Sequence, residues 1–414
     1  MAKKLKILAC PSNHGGCAYY RILLPMNKLQ ELYGDEVEIR FDDNPLGWVK
    51  GEEGKPGKET PKNFEYENIK WADIVFTQNI HNFGGKYTIE ILRNAHKYGK
   101  FTHFDTDDLL TDLYPGHRLF EVYTEQQLAD VTKYIYGNVD LVSVTQRKFA
   151  ERIAEFTRGA LVVIKNAIDY SLPCWNGEKV APHNKRLTRV GWVGGIHHDV
   201  DVKHFSTVPF IVNQKVGKEK VHWGFYGKPV QAPEDRDWQW DVWEGYERIL
   251  SAGFKGHRNY TVFPAMPPNT YGDMYKHIDI NIAVLDDNNF NDSKSEIKVM
   301  EGARFGVPLI ATDVGCYDEV VMNGKTGYLI SPDNPKTEWV KVLTKCIKDP
   351  KHVKEMGLAL KRICDELYDI NKIVGGRIEL YRQLMDMKAE AFKVHLAAQK
   401  DKNIEEVKTN ENTD

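Results

Sequence analysis

The chain has 414 residues, which is too many for a single domain with one hydrophobic core, so two domains are expected. Hydrophobic residues make up 42% and charged residues 28%, as in globular proteins, and the absence of an apolar run of about 18 residues excludes a membrane-spanning helix. The net charge of −3 excludes binding of a polyanion by overall charge, while a local basic patch stays open.

Short apolar runs alternate with helical patterns through the first half of the chain. Helices are predicted over 19–33, 86–98 and 124–137. The predicted strands are 6–10, 37–41, 73–78, 100–105, 140–145 and 160–166. Strands that are apolar on both faces and alternate with helices indicate a parallel sheet covered on both sides.

The same pattern restarts after a polar, proline-containing stretch at 174–186. The later strands are predicted over 188–194, 221–227, 260–265, 280–285, 307–312 and 327–331. We therefore expect an α/β protein with two doubly wound, Rossmann-like domains that face a central cleft, where ligands of such sheets bind. The expected organisation is a domain over 1–172, a linker over 173–186, a domain over 187–370, a helix over 371–400 that packs back toward the N-terminal domain, and a disordered tail over 401–414.

Residues 291–315, "NDSKSEIKVMEGARFGVPLIATDVG", combine a charged helix with the strand that follows it. Ser293 and Glu296 fit a capping box, so a helix is predicted to begin at Ser293. Gly306 with Pro308 just beyond it predicts the end of this helix.

Three charged residues, Lys294, Lys298 and Glu301, share one face of this predicted helix. A helix N-terminus with two lysines suits a diphosphate. The carboxylate of Glu301 can accept two hydroxyl hydrogen bonds, as from a ribose. An ordinary solvated face of lysine–glutamate pairs is the alternative interpretation.

The order of motifs resembles the donor-binding half of GT-B glycosyltransferases, in particular the retaining family 4. The resemblance is good over 160–335 and looser over 12–29. The matching segments are Glu301, "FGVPLIATDVG" (305–315), Glu319, "NGKTGYLI" (323–330), "VIKNAID" (163–169) and "RVGWVGGIHHDVDVKHF" (189–205).

This resemblance implies a GT-B fold and transfer of a sugar, with retention, from a nucleotide-diphosphate sugar to a hydroxyl. The domain over 1–172 would then be the acceptor side, and the domain over 187–370 would bind the nucleotide sugar. A UDP-sugar is the expected co-substrate, with no cofactor and no metal required. Glu301 is implied to bind the ribose. Ser293 departs from the family, which often has a second glutamate eight positions before the first.

Stabilising the leaving diphosphate is the main catalytic task of such an enzyme. Lys294 and Lys298 are the catalytic candidates for it, and glycines near a diphosphate allow close backbone approach. The donor-binding candidates are Gly15, Gly16, Arg21, Gly194, Gly195, His198, Lys228, Ser293 and Glu301.

Asp105 is a further catalytic candidate, because it ends a predicted strand and can orient an acceptor hydroxyl or act as a base. Asp105 and Asp107 form a D-x-D pair, which binds a metal in another transferase fold, but we do not carry that role over. A capped loop or helix start is the alternative. The acceptor-side candidates are His14, Tyr20, His81 and Asp107.

The elements "YYRI" and "KSEIK" also resemble virus-encoded relatives, some of which glycosylate hydroxymethylated bases in DNA. DNA, including phage DNA, is therefore one candidate acceptor, and a saccharide or lipid-linked acceptor is another. A nucleotide-sugar epimerase and a non-catalytic nucleotide-sugar-binding protein remain alternatives on the same fold. A cytoplasmic location is expected, in the host cytoplasm if the chain is viral, and the oligomeric state is left open.

Overall fold

The computed structural model describes residues 3–49, 64–182, 184, 187–254, 259–391 and 393, and their strands form two six-stranded parallel sheets. The strands of the first sheet are β1 (Leu5–Cys10), β2 (Val37–Phe41), β3 (Ile74–Gln78), β4 (Phe101–Asp105), β5 (Leu141–Val144) and β6 (Ala160–Val163). Their spatial order is β2-β1-β3-β4-β5-β6. Strands β3 and β4 are buried along their whole length, as expected for a sheet covered on both faces.

The second sheet repeats this architecture. Its strands are β7 (Thr188–Val193), β8 (Val221–Lys228), β9 (Tyr260–Pro264), β10 (Ile280–Ala283), β11 (Leu309–Thr312) and β12 (Gly327–Ile330). Their spatial order is β12-β11-β10-β7-β8-β9, and each pairing is parallel. Every strand of both sheets overlaps a strand predicted from the sequence. The predicted fold of two Rossmann-like domains is confirmed.

Helices cover both sheets and make the connections between parallel strands. The helices before β7 are α1 (Gly16–Ala18), α2 (Leu24–Tyr33), α3 (Glu67–Trp71), α4 (Gly85–Lys97), α5 (Phe120–Glu125), α6 (Leu128–Tyr136) and α7 (Arg147–Ile153). Those after it are α8 (Val208–Val216), α9 (Trp238–Leu250), α10 (Asn289–Asp292), α11 (Ile297–Ala303), α12 (Pro335–Lys348), α13 (Pro350–Leu367), α14 (Ile370–Ile373) and α15 (376–391). A π-helical turn over Tyr19–Leu23 joins α1 to α2.

The chain passes between the two domains twice, and the two crossings lie side by side. The backbone N–H of Ile168 donates to the carbonyl of Tyr368 at 2.8 Å, and that of Ile370 donates to the carbonyl of Ile168 at 3.0 Å. Beyond the second crossing, α15 contacts the first domain through an ion pair of 2.8 Å between Arg382 and Glu36. The C-terminal helix thus lies against the N-terminal half of the chain.

The prediction that a helix begins at Ser293 is wrong. A turn separates α10 from α11, which begins at Ile297. The Ser293 hydroxyl donates back to the carbonyl of Asn289 at 2.9 Å instead of capping a new helix. Glu296 is buried and accepts a contact of 3.6 Å from the thiol of Cys316, so it closes no capping box. The contact between Glu296 and Cys316 therefore overrides the capping-box signal of the sequence.

Two further predictions depend on how much of the chain is described. None of the helices that the structure describes has both the length and the apolar character needed to cross a bilayer. The tail over 401–414, predicted to be disordered, lies outside the described residues, as do 183, 185 and 186 of the predicted linker.

Candidate functional site

A cavity of about 510 Å³ lies between the two domains, where several strands end. Segments that follow β4, β7 and β10 all contribute to its walls, as expected for ligand sites of parallel sheets. Nine of the residues predicted from the sequence line this cavity. They are Gly16, Tyr20, Asp107, Gly194, Gly195, His198, Lys294, Lys298 and Glu301.

Glu301 lies on α11 with both carboxylate oxygens held by tyrosines. The hydroxyl of Tyr20 donates to Oε1 and that of Tyr275 donates to Oε2, each at 2.7 Å. Burial raises the pKa of Glu301 to about 7, against the opposing effect of the two hydroxyls and Lys298. Tyr20 comes from the π-helical turn of the first domain, so its hydrogen bond also joins the two domains. The carboxylate is oriented and retains acceptor sites for ligand hydroxyls.

His198 and Asp201 form a buried pair beside Lys298. The Nδ1 atom of His198 lies 2.6 Å from Asp201 Oδ2, and Asp201 Oδ1 accepts from the side-chain amide of Asn291 at 2.8 Å. Since the carboxylate can only accept, Nδ1 carries the proton and Nε2 is left as an acceptor. Lys298 Nζ lies 3.4 Å from this Nε2. Burial, followed by the charge of Lys298, lowers the pKa of His198 to about 4, so the ring is neutral at pH 7.

The two lysines of the predicted helix differ in how their charge is balanced. Lys294 lies 3.8 Å from Asp108 and above the ring of Phe290. For Lys298, the described residues provide no carboxylate within 4.0 Å of Nζ. Burial, followed by repulsion from Lys294, lowers the pKa of Lys298 to about 8. Asp201 and Glu301 act on Lys298 from farther away, but no carboxylate in the described part of the chain pairs with it directly. Its positive charge at the cavity therefore favours an anionic ligand.

The turn after β7 brings the backbone to the wall of the cavity. A Cβ atom on Gly194 would lie 2.6 Å from the ring of Trp192, so this position cannot accept a side chain without movement. A Cβ atom on Gly195 would meet nothing within 4 Å. Gly194 is thus required for packing, whereas Gly195 leaves the backbone open to a ligand.

Asp105 and Arg21 were predicted to act at the ligand, and the structure corrects both assignments. The two side chains are fully buried and form a bidentate ion pair with distances of 2.8 and 2.7 Å. Arg21 also donates to the carbonyl of Ile164 at 2.7 Å. Burial opposes ionisation of Asp105, but the guanidinium outweighs it and lowers the pKa of the carboxyl group. The pair fixes the π-helical turn to β4 and does not reach the cavity.

Five other predicted residues do not line the cavity. These are His14, Gly15, His81, Lys228 and Ser293. His14 is exposed and lies 3.5 Å from Asp43. His81 is buried near the end of β3. The amine of Lys228 lies 4.2 Å from the ring centre of Trp240 and 3.9 Å from Glu247. Ser293 is buried, and its hydroxyl donates to the carbonyl of Asn289.

The cavity wall also includes residues that the sequence did not single out. Asn166 donates from its side-chain amide to the hydroxyl of Ser295 at 3.0 Å, which links the two domains. Asn166 belongs to the segment "VIKNAID", whose resemblance to the glycosyltransferase motif could have indicated it. Tyr271 and Tyr317 line the cavity from 3₁₀ turns, for which the sequence pattern gave no signal.

One group of possible metal ligands lies at the edge of the cavity. Ligand atoms of Cys17, Asp107 and Asp108 lie within 4.8 Å of one another. Asp107, and then burial, raises the pKa of the Cys17 thiol. A protonated thiol is a poor metal ligand. The expectation that no metal is required stays a prediction.

Part of the chain matches a known family. Residues 262–362 match the family model described as "Glycosyl transferases group 1", and this segment contains α11 with Lys298 and Glu301. A search of curated proteins gave no match.

Solved structures with the same architecture cover almost the whole chain. Sucrose-phosphate synthase from Thermosynechococcus elongatus superimposes with a TM-score of 0.64 at 14% identity, covering 93% of this chain and 100% of its own. Anabaena HepE, in complex with UDP and glucose, gives 0.61 at 12% identity and covers 92% and 99%. A glycosyltransferase from Rickettsia africae gives 0.58 at 12%, covering 93% and 99%. The chain therefore has the GT-B fold, and the matched segment supports a glycosyltransferase of that fold.

Proposed function

We propose that this protein is a retaining glycosyltransferase that moves a sugar from a UDP-sugar to a hydroxyl acceptor. The observation that carries the proposal is the pair Lys298 and Glu301 on α11, which offers a cation without a directly paired carboxylate among the described residues, and an oriented carboxylate, to one cavity between two domains. A nucleoside diphosphate has complementary groups, namely a diphosphate and the hydroxyls of a ribose. The complex of the structurally similar Anabaena protein with UDP supports the choice of nucleotide.

The proposed chemistry depends on charge that develops on the leaving diphosphate. Lys298 and Lys294 would stabilise that charge, and the open backbone at Gly195 would allow close approach. Neutral His198 accepts from Lys298 and so orients its ammonium group without competing for the anion. Because the cavity lies between two domains, water is partly excluded and these interactions are strengthened.

Glu301 is proposed to bind the ribose hydroxyls. Tyr275 comes from the same domain and would keep the carboxylate oriented. Tyr20 comes from the other domain, so its hydrogen bond reports on how the domains are arranged around the nucleotide. The ribose site and domain closure would thus share one carboxylate.

The acceptor follows from the sequence resemblance alone. A hydroxymethylated base in DNA stays a prediction, with a saccharide or lipid-linked hydroxyl as the alternative. Incubation of the protein with labelled UDP-sugar and either hydroxymethylated or unmodified duplex DNA checks this. We expect label in the modified duplex only, and equal absence from both duplexes would contradict a DNA acceptor.

The activity itself is tested with a panel of UDP- and GDP-sugars. We expect UDP release that requires an acceptor, and NMR of the product should show the anomeric configuration of the donor. Sugar interconversion without acceptor would indicate an epimerase, and binding without turnover would indicate a non-catalytic binder. Glu301→Gln should lose activity, whereas Lys341→Met, an exposed change on α12, should leave it unchanged.

A further inference from the structure

A second cavity, of about 310 Å³, lies beside the two chain crossings between the domains. This volume is at the lower end of the range of about 300 to 1,000 Å³ for small-molecule sites. Its walls are mainly apolar and come from the region of β6 and from α14 and α15. The apolar lining includes Val162, Ile164, Ile370, Ile373, Val374 and Leu380. The walls therefore suit a short hydrocarbon chain.

Two cations and no acidic residue belong to this lining among the described residues. Lys165 is paired with Glu319. Arg377 is only 6% exposed, and its Nη1 atom has no hydrogen-bond partner among the residues that the structure describes. A buried guanidinium atom without an acceptor is costly, so a missing partner is expected here.

The surroundings of Arg377 leave its charge unbalanced. Tyr381 and Asp105 favour the charged form of Arg377, but the oxygens of Asp105 already accept from Arg21 and from the hydroxyl of Ser143. Asp105 is thus paired with Arg21, and Arg377 has no ion-pair partner among the described residues. Burial lowers the pKa of Arg377, and Arg21 adds to this effect. An anion in the cavity would supply the second negative charge.

We propose that this cavity binds a small amphiphilic anion, an alkyl carboxylate whose chain lies along the apolar wall and whose head pairs with Arg377. The site is separate from the cleft and does not depend on the proposed transferase activity. Tyr20 lines both cavities and donates to Glu301, so an occupant here touches a residue of the nucleotide site.

Decanoate, below its critical micelle concentration, is the probe for the full-length protein without nucleotide. Isothermal titration should show saturable binding, and decanol, which has the same chain without the charge, should bind at least about tenfold more weakly. Arg377→Met should weaken decanoate binding by a similar factor, because it keeps the apolar stem and removes the charge. The matched control Lys341→Met should bind decanoate like the unchanged protein.

Three results would overturn the proposal. They are absence of decanoate binding, equal binding of decanoate to the Arg377→Met variant, and displacement of decanoate by UDP in a one-to-one exchange, which would place it in the cleft. A thermal melt of each variant verifies folding. If Arg377→Met does not fold, a second variant tests the site. Val163 is 37% exposed at the rim of the cavity, so Val163→Trp should block the cavity and abolish decanoate binding. Unchanged binding to that variant would equally refute the site.

Discussion

Replacement of Lys298 by methionine separates the proposed role of this lysine from any role in folding. The substitution keeps the length of the side chain and removes its charge. A hydrogen bond with a charged partner contributes about 1.5–3 kcal/mol, so UDP should bind roughly 10- to 150-fold more weakly. With a pKa of about 8, about nine in ten Lys298 side chains are charged at pH 7, so nearly the full effect should appear there.

The same substitution should stabilise the free protein. The pKa of Lys298 falls from 10.5 to about 8 in the folded state, so the charged form is disfavoured by folding. The difference corresponds to at most about 3 kcal/mol, which solvent at this partly buried side chain reduces further. The unfolded state binds the proton more tightly, so this cost is full below pH 8 and vanishes above pH 10.5. The gain of the Lys298→Met variant should follow the same course.

Titration calorimetry with UDP from pH 6.5 to 9 and chemical denaturation measure these two effects. In the unchanged protein, UDP affinity should fall as the pH rises through about 8, and this decline should be absent in Lys298→Met. Lys294→Met should lose less affinity, because Asp108 already balances part of its charge. A stable Lys298→Met variant with unchanged UDP affinity would refute the assignment of Lys298 to the diphosphate.

Four further substitutions test the surrounding geometry. Glu301→Gln should weaken UDP binding about tenfold with little change in the melting temperature, and unchanged affinity would remove the proposed ribose contact. Gly195→Ala should fold normally yet bind UDP more weakly, whereas Gly194→Ala should lower the free energy of unfolding by about 1–3 kcal/mol. Denaturant unfolding and titration with UDP distinguish the two variants. Loss of stability in Gly195→Ala with unchanged UDP affinity would contradict the proposed backbone approach. Arg21→Met should cost about 3–5 kcal/mol in unfolding free energy because it leaves Asp105 buried without its partner, and a loss of UDP affinity without loss of stability would restore Arg21 as a ligand contact.

The fold could be predicted from the sequence because its signal is local. Each strand is a short apolar run bounded by polar or turn residues. A buried parallel strand can therefore be predicted from its own residues, without knowing which strands lie beside it. Strand ends then indicate the cleft, since parallel strands place their carboxyl ends at one edge. Gly194 and His198, which follow β7, line the cavity at this edge.

The details of the site depend on contacts between distant residues, which local patterns do not contain. Asp105 ends a strand and so satisfied the rule for cleft residues, but Arg21, 84 positions away, binds it inside the domain. Ser293 and Glu296 matched a capping box, but Glu296 accepts from Cys316, 20 positions away, while Ser293 donates to the carbonyl of Asn289 in the preceding turn. Asp105 and Glu296 thus found their partners through the fold, where local patterns could not indicate them.

The charge balance of the lysines follows from the same cause. Lys294 and Lys298 are equivalent in the sequence, four positions apart on one face. Asp108 approaches the first from the other domain, whereas the second meets a neutral His198 whose ring is fixed by Asp201. Only the packed structure distinguishes a lysine that is partly neutralised from one that is left to bind an anion. The distinction makes Lys298, rather than Lys294, the residue on which the proposed nucleotide site depends most.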